Sequence, residues 1–259
     1  MRLALAPLVA LAIVTPARAT PPRYGWGPPA GAETLAHRFP PPSGYTRVPL
    51  LPDDFGAWLR TLPLAPAGTP VRLFDGRLKA RQDLHAAVVA IDVGQRDLQQ
   101  CADAVMRLWA EYLLSMGSPV EFRPDPRGPP LAYDPLEPGA TRATFARYLT
   151  RLFAEAGSAS LQAELAFQRN SPAPGDVLIQ GGYPGHAVLV LDAADDAAGH
   201  RRILLGQSYM PAQSIHVLVN PGSPDSPWYD AAKLYDRGGL RTAEWPRPFK
   251  PGDLRRFRY

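Results

Sequence analysis

The feature that most constrains the fold is a change of hydrophobic period near the middle of the chain. Residues 97–116 carry apolar side chains at helical spacing, among them Leu98, Val105 and Trp109. Beyond residue 175 the apolar residues come instead in short runs that glycine and proline separate. The first pattern predicts an amphipathic helix and the second predicts antiparallel strands. A helix followed by such strands predicts an α+β fold, with the helix packed on an antiparallel sheet.

Further elements are predicted from short apolar runs bounded by turn residues and from capped periodic segments. The predicted strands cover residues 45–50, 71–74, 86–93, 176–179, 186–191, 202–205 and 215–219. The other predicted helices cover residues 53–60, 141–156 and 158–168. Residues 117–139 are rich in proline and are expected to form a surface loop. We therefore expect a single α+β domain over residues 44–259, with inserted loops and helices at residues 117–170.

The first nineteen residues resemble a secretory signal peptide. Arg2 precedes an apolar stretch, and Ala17-Arg18-Ala19 ends it with small residues at the spacing of a cleavage site. The stretch is too short to cross the roughly 30 Å of a bilayer core, and an uncleaved membrane anchor is the alternative. We expect an exported protein, periplasmic or secreted, with no integral membrane segment after cleavage. A proline-rich arm at residues 20–43 follows.

The composition excludes several classes of protein. The chain has 259 residues, is 46% hydrophobic and has a formal net charge of +4, which excludes intrinsic disorder. Its single cysteine cannot form an internal disulfide. No cluster of basic residues is interleaved with aromatic ones, so we expect no nucleic-acid partner. The sequence has no His-x-x-x-His or Cys-x-x-Cys spacing, so we expect no metal ion and no other cofactor.

Cys101 is the candidate nucleophile. It falls in or just after the first turn of the predicted helix at residues 97–116. There the helix dipole and a neighbouring imidazolium can lower the pKa of a thiol. The alternative is that Cys101 is a small core residue, because free cysteines are among the most buried residues in proteins.

His186 and Gln207 are the candidate partners of Cys101. His186 begins a predicted strand, and Gln207 ends the strand that follows it. A thiolate can attack a carbonyl group, an imidazole can transfer the proton, and an amide oxygen can hold the imidazole in one tautomer. The three residue types in this order predict a thiol hydrolase.

These motifs resemble the core of papain-like cell-wall peptidases of the NlpC and CHAP type. The resemblance is carried by Cys101 on its helix, by the strand motif at residues 175–179 and by the Gly-His-Ala motif at residues 185–187. In those families the cysteine, the histidine and a polar third residue follow in the same order. They typically have Asp-Cys-Ser where this chain has Gln-Cys-Ala at residues 100–102. The resemblance implies a papain-like fold and a cell-envelope peptide or glycopeptide as substrate.

The same resemblance implies further site residues. Gln95 precedes Cys101 by six residues, the spacing at which papain-like enzymes hold an oxyanion-hole glutamine. Gln100 is the second candidate for this role, and a solvated polar residue before a helix is the alternative for Gln95. The candidate substrate-groove residues are the aromatic residues Tyr183, Tyr209 and Trp228.

Three longer strings resemble the bacterial family called domain of unknown function 4846. They are VGQRDLQQCADA at residues 93–104, PGHAV at residues 184–188 and QSYMPAQ at residues 207–213. This resemblance extends from about residue 45 to residue 257. It implies membership of a family without a mechanism.

Two other functions are compatible with the sequence. A non-catalytic binding module could retain the fold and hold a cell-envelope ligand with its aromatic, proline-rich loops. An acyltransferase could use the same nucleophile and base, because a thioester can pass its acyl group to an acceptor other than water. Replacement of Cys101 and product analysis separate these functions from hydrolysis.

Overall fold

The structure of the protein, a computed structural model, describes residues 24–258. The predicted signal peptide at residues 1–19 lies outside the described residues. The described part of the proline-rich arm lies against the rest of the chain. Trp26 donates its indole N–H to the carbonyl oxygen of Ala90 at 2.7 Å, which joins the arm to a residue 64 positions away.

An antiparallel sheet of nine strands forms the centre of the fold. The described strands are β1 (Tyr45–Arg47), β2 (His85–Val88), β3 (Val120–Phe122), β4 (Leu131–Tyr133), β5 (Ala166–Phe167), β6 (Val177–Gln180), β7 (His186–Asp196), β8 (Arg201–Gln207), β9 (His216–Leu218), β10 (Tyr229–Asp230) and β11 (Leu254–Arg256). The strand order is β2-β9-β8-β7-β6-β11-β5, with β1 paired to β7 and β10 paired to β8. Every pair in the sheet is antiparallel. The predicted antiparallel sheet is therefore confirmed.

The longest helix packs on one face of this sheet. The described α-helices are α1 (Leu35–Arg38), α2 (Phe55–Arg60), α3 (Cys101–Ser115), α4 (Arg142–Glu155) and α5 (Ser158–Glu164). Val105 and Trp109 of α3 share one hydrophobic cluster with Leu189 and Leu191 of β7. This packing confirms the predicted α+β class.

The central strand β7 is buried on both of its faces. Leu189 and Leu191 belong to the cluster beneath α3, whereas Val188 and Val190 belong to a second cluster on the opposite face. Successive side chains of a strand point to opposite faces of the sheet. A strand covered on both sides reads as a continuous apolar run, which is the pattern that His186 begins.

The start of α3 differs from the prediction. The helix begins at Cys101, because the backbone N–H of Gln100 donates to Oδ2 of Asp103 at 3.0 Å and caps the helix there. Asp97 does not enter the helix. Its Oδ1 accepts hydrogen bonds from Nε2 of Gln100 at 3.0 Å and from the backbone N–H of Ala212 at 2.7 Å. Asp97 thereby holds the preceding loop against the end of the sheet.

One predicted loop and one predicted strand also differ from the structure. Residues 117–139 contain the antiparallel hairpin of β3 and β4 as well as loop. Residues 71–74 form no strand and make only isolated bridges with Leu78 and Gln213. The chain turns back at Gly76, which has a φ of 85°, so the apolar run is too short to form a ladder.

Replacing Thr141 by alanine is expected to lower the free energy of unfolding by about 1 kcal/mol. The hydroxyl of Thr141 accepts a hydrogen bond from the backbone N–H of Thr144 at 3.1 Å and caps the exposed start of α4. Thr150 provides the matched control, because its hydroxyl only bonds back to the carbonyl oxygen of Ala146 in the middle of α4. Urea unfolding measures both variants, and an equal loss in Thr150→Ala would show that the cap contributes nothing.

Candidate active site

Cys101 lies where the loop at residues 92–100 passes into α3. The residue is 6% exposed, and its sulfur accepts a hydrogen bond from the backbone N–H of Ala187. Burial raises the pKa of the Cys101 thiol to about 11, and the Asp103 carboxylate adds to this rise. The predicted lowering of the thiol pKa is wrong, because the loss of solvation of the thiolate outweighs the favourable N–H groups of the helix start.

His186 is the first residue of β7 and is fully buried. Its Nε2 lies 2.8 Å from Oε1 of Gln207, at the end of the neighbouring strand β8. An amide oxygen only accepts hydrogen bonds, so Nε2 carries the proton of the neutral ring. The other ring nitrogen, Nδ1, has no hydrogen-bond partner in the described part of the chain. The structure thus brings His186 and Gln207 together and leaves Nδ1 as an unused basic nitrogen.

Glu244 fixes the orientation of the Gln207 amide group. Nε2 of Gln207 donates to Oε2 of Glu244 at 2.6 Å, which leaves Oε1 to face His186. Oε1 of Glu244 lies 2.6 Å from Nζ of Lys79 in a buried ion pair. Burial alone would raise the pKa of Glu244, but the neighbouring His216 and Lys79 lower it below its ordinary value. Glu244 is therefore an anion and an obligatory acceptor.

Glu244 and Lys79 are functional candidates that no pattern in the sequence predicts. Glu244 follows the last predicted strand in a segment without helical or strand periodicity, and Lys79 lies 128 residues before Gln207. No motif or spacing links either residue to His186. Only the folded chain brings them together.

Aromatic rings enclose the imidazole of His186. Trp245 stacks against it at 4.9 Å between ring centroids, and Tyr209 meets it edge-on at 5.1 Å. The indole N–H of Trp245 is held by Oε1 of Gln180 at 2.8 Å. Burial lowers the pKa of His186 to about 4, although the hydrogen bond to Gln207 opposes this shift. His186 is consequently neutral at pH 7.

Within the described residues, the thiol of Cys101 and Nδ1 of His186 form no direct hydrogen bond. The sulfur of Cys101 lies on the backbone N–H of Ala187, the residue that follows His186. The ring of His186 packs with Trp245 and Phe249, which belong to the cluster on the face of the sheet opposite α3. The rings that enclose His186 therefore lie on the face of the sheet opposite the helix that carries Cys101. In this state neither is ionised by the other.

Cys101 lines a surface cavity of about 520 Å³. Gln100 lies on its wall, together with Ser158 at the start of α5 and the loop that carries Tyr183. The side chain of Tyr183 is fully exposed at this cavity. The residue that follows this loop is His186. A ligand in the cavity would therefore contact both the segment that carries Cys101 and the loop that precedes His186.

Gly185 closes this cavity against α5. A Cβ atom at residue 185 would lie 2.0 Å from Oγ of Ser158, 2.6 Å from the carbonyl oxygen of Gly182 and 2.9 Å from that of Gln180. Two of these atoms belong to the backbone, so they could move away only if the chain itself shifted. The close packing of the loop before His186 therefore requires glycine.

The other predicted site residues are divided among three places. Gln100 and Tyr183 line the cavity of Cys101, and Tyr209 contacts His186. Gln95 lines a separate, smaller pocket that does not contain Cys101. Trp228 is buried and lines another cavity, of about 720 Å³. That cavity shares no lining residue with the cavity of Cys101.

The described residues contain no group of three or more His, Cys, Asp or Glu side chains placed to hold a metal ion. Among the helices of residues 24–258, none combines the length and the apolar character that crossing a membrane demands.

The comparisons with known proteins identify a family. The family model described as "Domain of unknown function (4846)" matches residues 35–123 and 132–256. Searches of curated proteins and of solved structures gave no match. They give no support to the resemblance to papain-like peptidases. The family match covers most of the chain, including Cys101, His186, Gln207 and Glu244, and the chain therefore belongs to the family of domain of unknown function 4846.

Proposed function

We propose that the protein is an exported cysteine hydrolase, with a papain-like core, that cleaves an amide bond in a cell-envelope peptide. The observation that carries this proposal is the state of His186. Its Nε2 is committed to Gln207, whereas its buried Nδ1 has no partner among the described residues. The thiol of Cys101 lies on the backbone N–H of the next residue. Acyl transfer to sulfur requires such a basic nitrogen to take up the proton of the thiol.

The two groups act from their neutral states. The pKa of Cys101 is raised to about 11 and that of His186 is lowered to about 4, so a thiolate–imidazolium pair is not formed in advance. As the sulfur attacks the carbonyl carbon, its proton passes to Nδ1 of His186. The C–N bond then breaks, the departing amine takes that proton, and a thioester remains on Cys101. Water, deprotonated by His186, hydrolyses the thioester and releases the acid.

The oxyanion of this reaction needs hydrogen-bond donors near the start of α3. The backbone N–H of Cys101 belongs to the first turn of the helix, and Gln100 lines the same cavity. A donor of this kind typically contributes about 3–4 kcal/mol to the stability of the transition state. Gln95 lines another pocket, so we assign the role to residues 100 and 101.

The pH dependence of Cys101 alkylation tests the proposal. With His186 as base, the rate with iodoacetamide should be nearly constant from just above the pKa of His186, about 4, through neutral pH, and should fall below that pKa, because the ring is then protonated. The His186→Gln variant keeps a donor for Gln207 but has no basic nitrogen. Its rate should be about 10²–10⁴-fold lower at pH 7 and should rise tenfold per pH unit towards the thiol pKa of about 11.

Mass spectrometry of the intact protein measures both rates, and the single cysteine makes the site of labelling unambiguous. A wild-type rate that rises tenfold per pH unit and equals the rate of His186→Gln would contradict the proposal. Circular dichroism of both proteins provides the control for folding.

A non-catalytic binding module is the second candidate function. It is favoured by the raised thiol pKa and by the lack of a hydrogen bond between Cys101 and His186 in the described structure. In that case the cavity of about 520 Å³ holds a cell-envelope ligand without cleaving it. Acyl transfer shares the proposed thioester, and products formed with added amines distinguish it from hydrolysis.

A further inference from the structure

A second pocket adjoins the cavity of Cys101. It has a volume of about 220 Å³ and lies between the loop at residues 92–99 and the helices α3 and α4. Leu98 and Phe153 line both the pocket and the cavity. The two cavities therefore share a wall, and a ligand in one lies next to the other.

Three guanidinium groups line the pocket, and two of them are held rigidly. Nε of Arg107 donates to Oε1 of Glu111 at 2.8 Å, and Arg107 is 5% exposed. Arg142 donates to both oxygens of Glu111, which is itself buried. Arg96 differs, because it is exposed and its guanidinium has no hydrogen bond or ion pair with another residue in the range 24–258. It is available to a ligand.

A buried amide group adds a donor without a partner. Gln99 is 1% exposed and lines the pocket. Its Oε1 accepts a hydrogen bond from Arg107 at 3.0 Å, which fixes the amide, while its Nε2 has no acceptor within the described chain. A buried donor without an acceptor costs about 1–3 kcal/mol. A bound acceptor atom would remove that cost.

The charges of the pocket select a singly charged anion. The guanidinium groups of Arg96, Arg107 and Arg142 carry three positive charges, and the carboxylates of Asp92 and Glu111 carry two negative charges. One positive charge is left over. A carboxylate matches this surplus and accepts parallel hydrogen bonds from planar donors. A phosphate dianion would exceed it and would lie near Asp92.

We propose that this pocket binds a free carboxylate of the peptide whose amide bond reaches Cys101. The inference rests on the proposed function for the identity of the reacting group, and it narrows the substrate to peptides that carry such a carboxylate. Arg96 and the amide nitrogen of Gln99 bind the carboxylate oxygens. Arg107 holds Gln99 in place as a positioning residue.

Binding of a peptide acid and its amide tests the inference. The Cys101→Ala protein, labelled with ¹⁵N, is titrated with N-acetyl-alanyl-alanine and with the same peptide carrying a C-terminal carboxamide. The acid should shift the side-chain NH₂ signals of Gln99 and should bind at least about tenfold more tightly than the amide. Arg96→Gln should weaken binding of the acid by about tenfold.

Arg127→Gln is the matched control. Arg127 is also exposed, its guanidinium has no partner in the described chain, and it lies outside this pocket. Its replacement should leave the affinity unchanged. Equal binding of acid and amide, equal effects of the two arginine variants, absence of any shift of the Gln99 signals, or equal shifts with inorganic phosphate would each overturn the inference.

The titration is independent of turnover, because it uses a protein without the thiol. Carboxylate binding together with an unactivated Cys101 would support this pocket and refute the proposed hydrolase. An activated Cys101 without carboxylate selectivity would do the reverse.

Discussion

Replacement of Cys101 by alanine is expected to lower the rate of amide cleavage by at least about 10⁴-fold and to change substrate affinity by no more than about threefold. The nucleophile is lost, so no thioester can form. Binding is retained, because the cavity of about 520 Å³ keeps its walls and the pocket of Arg96 and Gln99 is untouched. Liquid chromatography of N-acetylated peptides with free carboxyl ends measures cleavage, and calorimetry measures affinity.

Cys101→Ser is the companion variant. Its hydroxyl can still accept from the backbone N–H of Ala187, so any loss of packing should be smaller than in Cys101→Ala. Both variants should be inactive, because a serine hydroxyl is a far weaker nucleophile beside a base with a pKa of about 4. Equal turnover in the wild type and Cys101→Ala would refute the proposed nucleophile. Affinity without turnover in all three proteins would identify a binding module.

Replacement of Glu244 by leucine is expected to lower the free energy of unfolding by about 3–5 kcal/mol. Lys79 and Glu244 have side chains only 9% and 8% exposed, so the variant leaves a buried ammonium group without its counter-ion. Urea unfolding measures the loss. The double variant Lys79→Met/Glu244→Leu should recover most of this stability, because the uncompensated charge is then removed.

The same double variant isolates the effect of Glu244 on His186. Gln207 loses its acceptor, its amide can rotate, and the proton of His186 should be shared between Nε2 and Nδ1. The control, Lys79→Met/Glu244→Gln, keeps an amide oxygen that can accept from Gln207 and should preserve the Nε2–H tautomer. Nitrogen-15 chemical shifts of the imidazole report the tautomer directly. An unchanged tautomer in both double variants would show that Glu244 is purely structural.

The sequence predicts the elements whose periodicity is long or strong. The helix α3 and the strands β6 to β9 carry apolar residues over one or both faces, so local pattern and final burial agree. The short strands are different. β5 pairs Phe167 with Arg255 of β11, and β10 pairs Tyr229 with Ile203. Two or three residues have no periodicity of their own, and only the tertiary partner makes them strands.

The residues of the candidate site differ in the same way in how far the sequence predicts them. His186 begins β7 and Gln207 ends the antiparallel neighbour β8, so their meeting follows from the order of the strands and is visible in the sequence. The raised pKa of Cys101 follows from its burial against β7. The local sequence pattern at the start of a helix does not predict that burial. Glu244 and Lys79 come from segments without regular structure and reach Gln207 only in the complete fold.

The position of β11 determines when the last strands can join the sheet. β11 lies between β6 and β5, and β5 has no other partner in the sheet. When the nascent chain has emerged from the ribosome only as far as β9, one edge of β6 has no partner strand. Its exposed backbone groups can then pair with strands of other proteins. This edge of β6 is covered only when residues 254–256 pair with it as β11. Within the described residues β5 pairs only with β11, so the final two strands join the sheet together at the very end of chain synthesis.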